Sequence, residues 1–180
     1  AYEQYLESLS PDRSGLLKHF DLVDVALKVV GTGSVGTFCA VLLLVGANDD
    51  FLILQVKEAR KSVLEPYTAP SKFQNSGQRV VVGQRIMQSA SDMFLGWAEG
   101  ARKRQFFVRQ LRDVKMSPNP ARWNKFTMLQ LSNFAGRVLA KAHAKSGEAE
   151  AIAGYIGKSD KFALAMSQFA LSYADLTESD

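Results

Sequence analysis

The sequence is short of cysteine, of histidine and of long apolar runs, and each shortage excludes a class of protein. Its one cysteine, Cys39, permits no disulfide within the chain and is interpreted as an inert core thiol of a cytosolic protein. His19 and His143 have no cysteine or carboxylate cluster beside them, so no metal site is predicted. The longest apolar run, FCAVLLLV, is too short to cross a bilayer, and the polar start, AYEQYLESLSPDRSG, does not resemble a signal peptide. We therefore expect a cytoplasmic protein without a membrane partner.

An excess of charge of one sign is also missing. There are 22 lysines and arginines against 18 acidic residues, for a net charge of +4, and the two signs are interspersed. This mild positive charge permits phosphate-bearing ligands but does not indicate a nucleic-acid partner. Hydrophobic residues make up 47% of the chain, which is enough for a buried core.

Strand patterns precede most of the helix patterns, and this order predicts an α+β protein. Three apolar segments, 25–30, 38–46 and 51–59, predict antiparallel strands, and the ANDD turn signal (47–50) separates the last two. A helix is predicted over 78–91, and a strand pair follows in 92–111.

The C-terminal third is predicted to be helical. One helix is expected from about Lys125 to Lys145, and Gly147 is placed to end it. A last helix is expected from about Ser159, which would be its N-cap. We divide the chain into an N-terminal helical segment, a sheet-containing domain and a helical part: 1–24, 25–115 and 116–180. The inward residues expected in the first helix are Leu129, Phe134, Val138, Leu139 and Ala142, and those in the last helix are Phe162, Met166, Phe169 and Tyr173.

Three glycines, Gly31, Gly33 and Gly36, are spaced as G-x-G-x-x-G in the segment GTGSVGTF (31–38), here called the glycine loop. A dinucleotide fold requires a helix after the loop, but the residues after Gly36 are β-branched, aromatic and apolar on both faces. The segment has no lysine for a phosphate-binding P-loop, and the later Gly157-Lys158-Ser159 lacks that motif's first glycine. In protein kinases, by contrast, such a loop joins two antiparallel strands and covers the ATP phosphates.

Lys57 near the end of the next strand strengthens the kinase interpretation. In LILQVKEA it occupies the place of the lysine in V-A-I-K, which holds the α- and β-phosphates. An exposed strand lysine without such a role is the alternative. Strand alternation puts Gln55 on the same face as Lys57, where a kinase has a small alanine under adenine. The following helix lacks the glutamate that pairs with this lysine in kinases, and the sequence does not choose among the substitutes Gln78, Gln84 and Glu65.

The short basic segment RQLRDVK begins at Arg109, and its cations Arg109, Arg112 and Lys115 are candidates for binding a substrate anion or a carboxylate from an upstream part of the polypeptide. Arg112 and Asp113 are interpreted as solvated hinge residues, whereas Lys115 remains a candidate. Arg109 follows the apolar residues FFV and is expected to be partly buried. A buried arginine needs a partner, and the sequence shows none nearby.

Long blocks of the chain resemble a bacterial family called domain of unknown function 2252. The resemblance covers nearly the whole chain and implies a relation to protein kinases and aminoglycoside phosphotransferases. It also implies longer full-length members, with catalytic blocks like G-D-x-H-x-x-N and N-D-x-D placed upstream of the glycine loop in a permuted order. Neither block is present in this chain. The resembling blocks are KVVGTGSVGT, LQVKEARKSVLEPY, GQRVVVGQRIMQSASDMFLGW, VRQLRDVK and AHAKSGEAEAIAGYIGKSD.

Together these patterns predict a kinase-like fold, as a fragment or a permuted version, that binds ATP with magnesium for a phosphotransferase. No catalytic residue is assigned, the acceptor substrate is unidentified, and we expect this chain alone to be inactive. An upstream part of the same polypeptide would be its partner. The alternatives are a non-catalytic kinase-like module that acts through protein contacts and, less favoured, a nucleotide-gated regulator. The predicted nucleotide-binding residues are Gly31, Thr32, Gly33, Ser34, Val35, Gly36, Phe38 and Lys57.

Overall fold

The computed structural model describes residues 1–29, 35–48, 50–111, 119 and 122–179. The chain divides into two compact units, Ala1–Asn124 and Lys125–Asp180, which are treated separately below. The first unit holds all the strands of the described residues, and the second is helical.

A five-stranded antiparallel sheet forms the first unit, which confirms the α+β class and the three adjacent antiparallel strands. The spatial order of the strands is β1-β2-β3-β5-β4. β1 begins at Phe20, earlier than the predicted Val25, within the segment that we predicted to be helical. The strands are β1 Phe20–Leu27, β2 Cys39–Gly46, β3 Phe51–Glu58, β4 Gly96–Glu99 and β5 Gln105–Gln110.

One face of the sheet carries the core, because alternate residues of each strand point to the same side. Leu44, Leu54 and Val108 on this face are buried. Two short helices, α1 (Tyr2–Glu7) and α2 (Pro11–Leu17), contribute further side chains to the same cluster. The core side chains from this N-terminal part are Tyr5 and Leu6 of α1, Leu17 of α2, and Leu9 from the turn between the two helices.

A third helix, α3 (Ser76–Met87), packs on β4 and β5. Asn75 caps it, since its Oδ1 accepts hydrogen bonds from the backbone N–H of Gly77 at 2.7 Å and of the next residue at 3.2 Å. Arg85 lies over the ring of Trp97, at 6.0 Å from its centroid. Because Trp97 alternates with the core residue Ala98, α3 lies against β4 and β5 on the sheet face opposite the core.

The second unit contains α4 (Lys125–Ser146), α5 (Ala149–Ile156) and α6 (Lys161–Ser179). Gly147 ends α4, as predicted, and donates its N–H to the carbonyl of His143 at 2.8 Å. The predicted cap at Ser159 is wrong, because the first backbone hydrogen bond of α6 reaches the carbonyl of Asp160.

The apolar stripes that we expected to point inward are largely exposed in the part of the chain that the structure describes. Phe134 in α4 is 66% exposed, and Phe169 in α6 is 60% exposed, whereas Ala142 is buried. Helical periodicity identified one apolar face on each helix, but it carries no information about what covers that face. None of the described helices has both the length and the hydropathy needed to cross a bilayer.

Candidate functional site

The glycine loop lies in the connection between the antiparallel strands β1 and β2, as the kinase interpretation requires. Its residues Gly31, Thr32, Gly33 and Ser34 fall outside the described residues, whereas Val35 to Phe38 fall within them. Val35 is exposed. Gly36 has a φ of 77°, in the left-handed region. Residues with a Cβ are strained in this conformation, so the position favours glycine.

Lys57 lies at the end of β3 that is nearest the loop. Its direct cross-strand neighbours are Cys39, the first residue of β2, and Phe107 on β5. The structure therefore brings Lys57 beside the strand that leaves the loop. Gln55 lies on the same face of β3, one alternation farther from the loop.

Gln55 is a polar residue in the interior of the sheet, with only 2% of its surface exposed. Its Oε1 accepts hydrogen bonds from Nε and Nη2 of Arg109 at 3.1 and 3.0 Å. Its Nε2 donates to Sγ of the buried Cys39 at 3.6 Å. Arg109 thus has a partner on the neighbouring strand, and this long-range pair was invisible in the local sequence. Arg112, Asp113 and Lys115 lie outside the described residues.

Glu58 anchors the downstream end of the glycine loop, and sequence reasoning missed it. Its carboxylate accepts the backbone N–H of Phe38 at 2.9 Å, Nε of Arg60 at 3.2 Å and Nη2 of Arg104 at 3.0 Å. The side chain is 9% exposed. The pKa of Glu58 lies below its usual value, chiefly because the carboxylate accepts the Phe38 N–H. The two arginines lower this pKa further, whereas desolvation raises it in part. The only sequence signal was a charged pair, Glu58-x-Arg60, at a strand end.

Phe38 points away from Lys57, toward the core face of the sheet. Its ring meets that of Phe106 edge-on, with centroids 5.7 Å apart, and the guanidinium of Arg104 lies 5.7 Å from its centroid. Phe38 occupies the place of the valine in the kinase pattern, and here it fixes the loop to the sheet through a ring contact.

Arg60 connects the glycine loop to helix α3. Its Nη2 donates to the carbonyl of Gly36, while its own carbonyl accepts Nη2 of Arg79 at 2.9 Å. Arg79 belongs to α3. A continuous path of hydrogen bonds therefore runs from α3 through Arg60 to Gly36 and, through Glu58, to Phe38.

Two cavities adjoin these residues. A cavity of about 330 Å³ lies at the foot of the loop. A larger one, about 610 Å³, lies on the core face, and its mostly apolar lining does not suit a phosphate. In the described residues no cluster of His, Cys, Asp and Glu could hold a metal ion. The residues that line the smaller cavity are Leu27, Lys28, Val29, Val35, Gly36, Thr37, Phe38 and Cys39.

Comparison with known proteins places the chain in a family without giving it a function. Residues 1–180 match the family described as "Uncharacterized protein conserved in bacteria (DUF2252)". No curated protein and no solved structure shows a significant match. Because the match covers the whole sequence, the chain belongs to the DUF2252 family of uncharacterised bacterial proteins.

Proposed function

We propose that this chain is the phosphate-binding part of a kinase-like phosphotransferase that uses a magnesium nucleoside triphosphate. The observation that carries the proposal is the position of Lys57 directly across from Cys39, where β2 leaves the glycine loop. Protein kinases have the same order of parts: a glycine loop between antiparallel strands, a lysine on the next strand and then a helix. The catalytic aspartate and the magnesium ligands would be supplied from outside these residues.

The chemistry of the parts fits phosphate recognition. Glycines let backbone N–H groups approach phosphate oxygens, and a lysine adds a charge-assisted hydrogen bond. Glu58 and Arg60 hold the downstream end of the loop at Phe38 and Gly36. An anchored loop would lose less conformational entropy when a ligand binds.

A second candidate, a kinase-like module that acts only through protein contacts, is favoured by one feature of α3. The helix sequence SGQRVVVGQRIM contains no aspartate or glutamate, so no carboxylate on α3 can pair with Lys57 as in active kinases. Glu58, although adjacent in sequence, points to the opposite face of β3 and accepts the Phe38 N–H. In this alternative the glycine loop would be a connection without a ligand.

Calorimetric titration separates the two candidates. Magnesium pyrophosphate and magnesium ATP are titrated into the wild-type chain, Lys57→Ala and the control Lys61→Ala, which removes an exposed lysine from the same segment. We expect Lys57→Ala to weaken binding of both ligands about ten- to hundredfold, because a charge-assisted hydrogen bond is lost. Lys61→Ala should change affinity by less than about threefold, as is usual for exposed charges.

The binding-module candidate replaces the proposal if the folded wild-type chain binds neither ligand, or if both lysine variants weaken binding equally. A thermal melt with each ligand checks that the variants are folded and should show the stabilisation that mass action requires.

A further inference from the structure

The face of the sheet that carries Lys57 is arranged in rows across the strands. Lys57 forms one row with Cys39 and Phe107, while Gln55 and Arg109 form the next. Side chains on one face of a strand repeat about every 7 Å. Since β2 leaves the glycine loop at Cys39, the row of Gln55 and Arg109 lies about 7 Å farther from the loop than Lys57.

Arg109 brings a directed positive charge to this second row. Its Nε and Nη2 both donate to Gln55 Oε1, which fixes the plane of the guanidinium. An arginine has five N–H donors and no acceptor, so donors remain beyond these two bonds. The side chain is half-buried, and among the described residues none of the ion pairs includes it. A partly buried cation held by a neutral oxygen is suited to a ligand that supplies acceptors.

The row formed by Gln55 and Arg109 therefore presents hydrogen-bond donors to a ligand. The acceptor oxygen of Gln55 is already occupied by two donors from Arg109, and its nitrogen faces the sulfur of Cys39. A ligand group that binds here forms the most hydrogen bonds when the edge facing Arg109 carries only acceptors. Guanine offers two acceptors, N7 and O6, on one edge, and arginine pairs with both at once. Adenine offers N7 beside an N6 amino donor, which would face the donors of Arg109.

We propose that Arg109, fixed by Gln55, makes this site select guanine nucleotides over adenine nucleotides. The inference rests on the proposed function, because it needs the phosphates to lie at the glycine loop and Lys57. Arg109 is thus a specificity-determining residue, and Gln55 is a positioning residue that acts through it.

Equilibrium titration with four magnesium-bound ligands tests this specificity: GTP, inosine triphosphate, ATP and pyrophosphate. Inosine keeps N7 and O6 but lacks the 2-amino group of guanine, so it isolates the edge that Arg109 would contact. We expect GTP and inosine triphosphate to bind the wild-type chain about tenfold more tightly than ATP.

Arg109→Met should lower the affinity for GTP to that for ATP and leave pyrophosphate affinity within about threefold. The control, Arg137→Met, removes an exposed arginine from α4 and should keep the preference for guanine. Gln55→Leu should reduce this preference, since it releases the guanidinium.

Three results would overturn the inference: equal affinities for GTP and ATP, tighter binding of ATP, or a preference that survives in Arg109→Met. Pyrophosphate binding without base selection would refute this inference and leave the proposed function intact. If pyrophosphate also fails to bind the folded chain, both are refuted together.

Discussion

Glu58→Ala should release the downstream end of the glycine loop while leaving the fold intact. The substitution removes the acceptor of the Phe38 N–H and the partner of Arg60 and Arg104. A hydrogen bond to a charged group contributes about 1.5–3 kcal/mol to stability. Arg60 and Arg104 have side chains that are 59% and 46% exposed, so each of their ion pairs adds about 0.2–1 kcal/mol. We expect Glu58→Ala to lower the free energy of unfolding by about 2–5 kcal/mol.

Amide hydrogen exchange locates this effect. The Phe38 N–H should exchange about ten- to hundredfold faster in Glu58→Ala, because its opening no longer breaks a charge-assisted hydrogen bond. Glu58→Gln keeps an acceptor oxygen and should show a smaller increase. The control Glu99→Ala removes an exposed carboxylate from β4 and should leave exchange at Phe38 unchanged.

The pKa shift of Glu58 also predicts how the free energy of unfolding depends on pH. Because the pKa of Glu58 is depressed in the folded state, its contribution to stability is complete above the ordinary glutamate value of about 4.3. This contribution is lost as the pH falls through the lower folded pKa. The difference in stability between wild type and Glu58→Gln should therefore shrink as the pH falls below about 4. Unchanged exchange at Phe38 in Glu58→Ala at neutral pH would refute the anchoring role.

Two further substitutions test how α3 is attached. Arg79→Met should speed amide hydrogen exchange at Phe38 about two- to tenfold, because Arg60 loses its hydrogen bond from α3. The control Arg85→Met, on the same helix, should leave this exchange unchanged. Equal effects of the two substitutions would contradict the path through Arg60. Gly77→Ala should lower the free energy of unfolding, measured in urea, by about 1–3 kcal/mol, because the added Cβ would collide with the Phe106 carbonyl. The control Gly83→Ala has open space around the added Cβ and should be neutral or stabilising. A neutral Gly77→Ala would show that α3 can move away from β5.

The sequence predicted those elements whose patterns are local. Strand β3 was recognisable because apolar residues dominate it and a turn signal precedes it, and this placed Lys57 near the strand end. The start of β1 was missed because most of this edge strand is exposed, and an irregularity in its pairing between Leu22 and Asp24 breaks the alternation. Exposure and a bulge both weaken the period that identifies a strand.

The contacts that shape the candidate site could not be predicted, because they join residues that are far apart in sequence. Gln55 and Arg109 are neighbours only because β5 pairs with β3, and Glu58 meets Phe38 only because β2 pairs with β3 in one particular register. Residue type indicated that a buried arginine needs a partner, but only the register shows that this partner is Gln55. Periodicity gives the face of a side chain, and strand pairing decides its neighbour.

Two consecutive residues of strand β3 have the two roles that the proposed function needs, phosphate binding by Lys57 and anchoring of the glycine loop by Glu58. Lys57 points to the face beside the start of β2, and Glu58 points to the opposite face and holds Phe38. A slip of the β3 register by one residue would exchange these two faces, placing a carboxylate toward the proposed phosphate site and a lysine toward Arg60 and Arg104. The same register buries Leu52 and Leu54 on the core face, so any such slip would also expose the core. Packing of the core therefore fixes the lysine and the loop anchor relative to each other, although neither belongs to the core.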